Sequence, residues 1–142
     1  MIEQELSDEL YSSIIADLER GDEKAEESLN STALKYYLSA LEKIPSPKTD
    51  WKISLHIYVA LGDLFINMEQ YENAVFHYEL ALHCPDGTSS GYVWLGLGQA
   101  YYELDDMEKA KDALMSAFML EGEEIFQDYD SKYYNLIEVD IL

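Results

Sequence analysis

The chain is poor in the residues that carry out chemistry. It has one cysteine, Cys84, and three histidines, His56, His77 and His83. A lone cysteine forms no internal disulfide, so a reducing, cytoplasmic compartment is expected and Cys84 reads as a small filler at a helix end. His77 and His83 stand six residues apart. Two ligands on one helix face need a spacing of three or four, and the thiolates of a usual zinc site are missing as well. There is no Gly-x-Gly-x-x-Gly, no phosphate loop and no nucleophile–base–acid set. Acid pairs such as Asp105-Asp106 and Glu123-Glu124 read as solvated turns. These absences predict no enzyme, no metal and no cofactor.

Long apolar runs are missing too. No stretch reaches the roughly eighteen residues that a membrane span requires, and the opening Met1-Ile2-Glu3-Gln4-Glu5 lacks the basic end and apolar run of a secretion signal. Positive charge is scarce beside negative. Nine Lys and Arg stand against 29 Asp and Glu, for a net charge of −20. Such a field repels nucleic acid and anionic membranes, so neither is expected as a partner. Between Lys52 and Lys109 there is no Lys or Arg, while Asp63, Glu69, Glu72, Glu79, Asp86, Glu103, Asp105, Asp106 and Glu108 fall there. This is either a solubilising surface or complementarity to a basic protein partner, which speeds encounter and rejects wrong partners.

What is present is a helical repeat. The 142 residues suit one domain, and 48% hydrophobic with 13% aromatic content supports a core. Tyr58-x-x-Leu61-Gly62-x-x-Phe65 is followed by Tyr71, Ala74, Tyr78 and Ala81. Thirty-six residues on, Trp94-x-x-Leu97-Gly98-x-x-Tyr101 is followed by Met107, Ala110, Leu114 and Ala117. Gly inside a helix costs about 1 kcal/mol against Ala, a cost accepted where a neighbouring helix must come close. The alanines supply the small partners on the second helix of each pair, and the aromatics fill the space around them. The pattern resembles the tetratricopeptide repeat, a helix–turn–helix unit of roughly 34 residues, and in particular small, stand-alone bacterial members of that family.

That resemblance implies an all-α solenoid of about three antiparallel helix pairs with a C-terminal capping helix, in one domain over 1–142. Repeat one spans about 7–45, repeat two 50–84, repeat three 89–121 and the cap 128–140. Residues 1–6 are expected to fray, Ser7 or Asp8 to cap the first helix, and Thr49 or Asp50 to start the third. Pro45 and Pro47 stop the second helix, and Gly122 fits a C-cap. The first repeat departs from the family pattern, with Asp17, Arg20 and Lys24 where an aromatic, a leucine and an aromatic belong.

In this family the first helices of the pairs line a concave groove. By resemblance its candidates are Ile15, Leu18 and Asp22, then His56, Val59, Asp63, Ile66 and Asn67, then Tyr92, Leu95, Gln99, Tyr102 and Glu103. For Leu18 and Leu95 a core position is equally open. Members that grip a carboxylate terminus use groove lysines and arginines, and the second and third repeats have none. The resemblance implies a binding module, and the charge of −20 with the Lys/Arg-free stretch points to a basic protein partner, with Tyr92 and Tyr102 as expected anchors and Asp63 and Glu103 as the charge match. Most concretely it suggests an immunity protein neutralising a toxin. A secretion chaperone holding an apolar translocator segment, or a scaffold in a larger assembly, is the alternative.

Overall fold

A computed structural model describes residues 5–141. The fraying expected for residues 1–4 lies outside the described residues, whereas Leu6 packs against the core rather than fraying. Seven helices follow in order: α1 Asp8–Glu26, α2 Asn30–Glu42, α3 Lys52–Asn67, α4 Tyr71–Leu82, α5 Gly91–Glu103, α6 Met107–Glu121 and α7 Ser131–Ile141. No strand occurs among the described residues. Helices α1/α2, α3/α4 and α5/α6 pack as pairs, α4 and α2 join consecutive pairs, and α7 lies over α6 and α5. No helix among the described residues is long and apolar enough to cross a membrane.

The pairs close through one repeated turn. Ser28, Glu69 and Asp105 each adopt a positive φ, of 61°, 57° and 63°. The next residue then donates its N–H back across the helix end: Leu29 to Lys24 O at 2.9 Å, Gln70 to Phe65 O at 2.8 Å and Asp106 to Tyr101 O at 3.0 Å. These bonds satisfy carbonyls that a helix end otherwise leaves unpaired, in the manner of a Schellman cap. At the chain's start, Ser7 Oγ accepts from the Leu10 N–H at 3.2 Å, the expected cap. Gly122, at φ 79°, ends α6 as expected.

Each hairpin core is a glycine under a large side chain. A Cβ on Gly21 would collide with the Tyr37 ring, one on Gly62 with Tyr78, and one on Gly98 with Leu114. Tyr78 is confined on a second side as well, because a Cβ on Gly96 of α5 would strike the same ring. One tyrosine thus locks α4 between α3 and α5.

The odd residues of the first repeat have their own solution. Asp17 is only 6% exposed. It accepts from Lys43 Nζ at 2.7 Å and from Ser39 Oγ at 2.8 Å, so an ion pair with a hydroxyl stands where the family pattern has an aromatic. Arg20 remains exposed.

One local expectation is corrected. Helix α3 begins at Lys52, after a turn at Lys48–Asp50, instead of at Thr49 or Asp50. Lys48 is otherwise engaged: its Nζ donates to Leu41 O at 2.9 Å and Ile44 O at 2.8 Å, closing the end of α2. The acidic stretch after Gly122 forms a short turn, Glu123–Phe126, that buries Ile125 and Phe126. With Leu95, Leu114, Ala117, Tyr133 and Ile137 they make a second core under α7.

Candidate binding groove

Helix spacing puts every third or fourth residue on one face. On α3 that stripe is His56, Val59, Asp63 and Asn67. It separates two adjoining cavities. The first, of about 410 Å³, lies between α1 and α3, with Leu18, Asp22, Ala25 and Glu26 on the α1 side, Tyr37 behind, and His56, Val59, Ala60, Asp63, Leu64 and Asn67 opposite. The second, of about 320 Å³, lies between α3 and α5, bounded by Leu55, His56, Val59, Asp63, Tyr78, Ser90, Tyr92, Gly96, Gln99 and Tyr129. His56, Val59 and Asp63 belong to both, so together they form one groove along the first helices of the three pairs.

Of the residues expected from the sequence, Leu18, Asp22, His56, Val59, Asp63, Asn67, Tyr92 and Gln99 line this groove. Ile15 and Ile66 are half-buried against the main core instead. Leu95 is fully buried in the second core; the α5 stripe facing the groove runs through Tyr92, Gly96 and Gln99.

Tyr102 and Glu103 are placed elsewhere. Glu103 continues the α5 stripe by one turn, but α7 takes it: Lys132 pairs with its Oε1 at 2.7 Å and the Tyr133 hydroxyl donates to the same oxygen at 2.7 Å. These partners, Lys132 foremost, hold the Glu103 carboxyl below its ordinary range. Tyr102 meets the Tyr133 ring edge-on at 5.2 Å, with the Lys132 ammonium 5.2 Å from its centroid. Both side chains anchor the capping helix.

The carboxylates that face the groove are held by the cores behind them. The Tyr37 hydroxyl donates to Asp22 Oδ1 at 2.7 Å, and the Tyr78 hydroxyl to Asp63 Oδ1 at 2.5 Å. Each acid directly follows the glycine on which that tyrosine rests, so packing and charge placement come from one Gly-Asp…Tyr unit used twice. The third repeat replaces it with Gly98-Gln99 and Leu114. Asp63 stays exposed at the groove surface, and the protein packed around it pushes its carboxyl above its ordinary range by partial desolvation. The Tyr78 hydroxyl opposes this, and the Asp22 charge adds to it. A nearby cation would therefore favour the ionised form of Asp63.

Tyr129 was not anticipated. It comes from the segment between the Glu123–Phe126 turn and α7, 36% exposed, and reaches back to the cavity of α3 and α5. Burial, Asp63 and Tyr92 all raise its phenol above the usual range. Nothing in the repeat pattern assigns a groove residue to the capping segment; only its aromatic character in an acidic run marked it out. Away from the groove, Cys84 is buried and burial pushes its thiol up to about 11. His77 stacks on Phe65 at 5.1 Å, a packing role. No group of three or more His, Cys, Asp or Glu is placed to hold a metal among the described residues.

The family model of the tetratricopeptide repeat matches residues 55–82 and 92–123. The chain is also similar to the intraflagellar transport protein 88 homolog of Homo sapiens, 32% identical over 83 residues. That match covers 58% of this chain and 10% of the relative's length. Repeats of this kind stack into concave surfaces used for binding rather than catalysis. The glycine-centred hairpins and the common turns agree with the two matched segments: residues 55–82 and 92–123 match the tetratricopeptide repeat, a helical unit that serves protein–protein interaction.

Proposed function

We propose that the groove takes a basic segment of a partner protein and that the chain acts by sequestering that partner. The observation that carries this is the lining. Its charged side chains are Asp22, Glu26 and Asp63, with no lysine or arginine in either cavity. A cationic segment would relieve the cost of holding Asp63 ionised beside Asp22, whereas a carboxylate terminus would add to it. The long stem of a lysine or arginine matches the apolar walls of Leu18, Val59 and Leu64, with its head at the acids.

At the finest level, the reading is neutralisation of a basic toxin, as an immunity protein does. Its support is the net charge of −20 on a small domain, which gives fast, salt-sensitive capture of a cationic protein. The name of the human relative concerns intraflagellar transport, and the short match carries the repeat alone.

The test is a peptide array of cationic, neutral apolar and anionic segments, probed with the native chain and with Asp22→Lys/Asp63→Lys. Binding confined to cationic spots, weakened by salt and lost in the double variant, is expected. Equal retention by the variant, or preference for apolar spots, sinks the reading; the latter outcome favours a chaperone for an apolar segment. Neutralisation itself is tested by co-expressing the chain with the basic partner so defined and measuring cell survival.

A further inference from the structure

We infer that the cavity between α3, α5 and Tyr129 seats a guanidinium group, so that the partner is recognised through an arginine side chain. This rests on the reading above that the groove takes a basic segment. The lining supplies the three parts that a guanidinium uses.

The first is aromatic surface. Tyr92 is 61% exposed and Tyr129 36% exposed, and both border the same concave site. A planar cation stacks on such faces, and arginine does so better than the compact, strongly hydrated ammonium of lysine.

The second is a carboxylate with an acceptor to spare. Asp63 Oδ1 takes the Tyr78 hydroxyl, while Oδ2 accepts no hydrogen bond among the described residues. A guanidinium N–H at Oδ2 would make a charge-assisted bond to a group already fixed from behind. The third is the Gln99 amide, which lines the site from α5 and offers a neutral acceptor. An apolar side chain here would cover Asp63 without pairing it, which is costly.

Tyr129 becomes a specificity-determining residue contributed from outside the paired helices. Its position is set by α7, because Lys132 and Tyr133 fasten the start of that helix to Glu103 of α5.

The experiment is fluorescence anisotropy with labelled Gly/Ser-spaced peptides of equal length. One carries arginines, one lysines and one citrullines, which keep the arginine shape without its charge. The arginine peptide should bind roughly tenfold tighter than the lysine peptide, and the citrulline peptide should lose that gain. Tyr129→Ala and Tyr92→Ala should each weaken the arginine peptide more than the lysine peptide and so erase the arginine preference. Tyr129→Phe, which keeps the ring, should retain the preference. Helical circular dichroism of each variant confirms that the fold persists. Equal binding of arginine and lysine peptides to the native chain overturns the guanidinium seat and leaves the basic-segment reading standing. So does an arginine preference that survives Tyr129→Ala. If neither charged peptide binds, both readings fall.

Discussion

Replacing Gly62 with alanine adds one methyl group where α3 lies against the Tyr78 ring of α4. Helix propensity alone would favour the change by about 1 kcal/mol. The structure opposes it. An ideal Cβ at Gly62 would stand 2.5 Å from Tyr78 Cε1 and 2.7 Å from both Cδ1 and Cζ. Real contacts do not come that close, so something must move. The ring is 1% exposed and cannot retreat, because Gly96 presses on it from α5 and the hydroxyl is tied to Asp63. Overpacking of this kind costs about 1–3 kcal/mol, and a ring confined on two sides belongs at the upper end. After the propensity gain, a net loss of about 1–2 kcal/mol is expected, or a fall in melting temperature of roughly 3–6 °C for a chain of this length. The decisive comparison is Gly62→Ala in a Tyr78→Ala background. With the ring gone the methyl has room, and the same substitution should stabilise by up to about 1 kcal/mol. The coupling between the two sites is then about 2–3 kcal/mol. Urea and thermal melts followed by circular dichroism measure all four chains. An osmolyte in every sample keeps the weakened Tyr78→Ala pair within its folded baseline. A Gly62→Ala chain that melts at or above the native temperature refutes the reasoning, as does an equal cost in both backgrounds.

Three further outcomes follow from the same contacts. Gly98→Leu should cost a few kcal/mol by driving into Leu114, and an unchanged melting temperature would contradict it. Glu69→Gly should stabilise by about 0.5–1 kcal/mol, since Glu69 sits at φ 57° where glycine is unstrained; a lower denaturant midpoint would show that its turn is held some other way. For Asp17, burial raises the carboxyl, but the Lys43 and Ser39 bonds outweigh it and the result lies below the ordinary value. The stability it contributes is present above the unfolded range, near pH 4, and is lost as pH falls through the lowered native value. Asp17→Asn should therefore be less stable than the native chain at neutral pH, and the gap should narrow in acid; a gap that stays constant in urea melts from neutral to acid pH counts against the pairing.

The fold was legible because its punctuation repeats. Leu-Gly recurring at a fixed distance, with alanine and a large residue on the second helix, specifies a close crossing twice over. Gly62 with Tyr78 and Gly98 with Leu114 are those crossings in the structure. The closing turns were legible as lengths and not as conformations, because Ser28, Glu69 and Asp105 share a left-handed backbone without sharing a residue type. Helix α1 was harder to read. Its polar positions look like a broken motif until Lys43, twenty-six residues away, supplies the counter-charge to Asp17. A pairing at that separation has no periodic signature.

The groove was legible where it follows one helix and illegible where two distant segments compete for one side chain. On α3, spacing by three and four places His56, Val59, Asp63 and Asn67 together, and all four line the groove. On α5 the same spacing left a choice of stripe. Gly96 lies against the Tyr78 ring and lines the groove, while its neighbour Leu95 packs in the second core. Beyond Gln99, the family resemblance pointed to Glu103 as a groove acid, and it lines neither cavity. What changes its role is Lys132, one of the few basic residues in the chain, which arrives with α7 and neutralises it. In a chain this short of positive charge, each lysine that pairs internally withdraws a carboxylate from the surface. The groove acids Asp22 and Asp63 escape that fate, because the groups that hold them are tyrosine hydroxyls, which fix the carboxylates in place and leave their charge to be met by a partner.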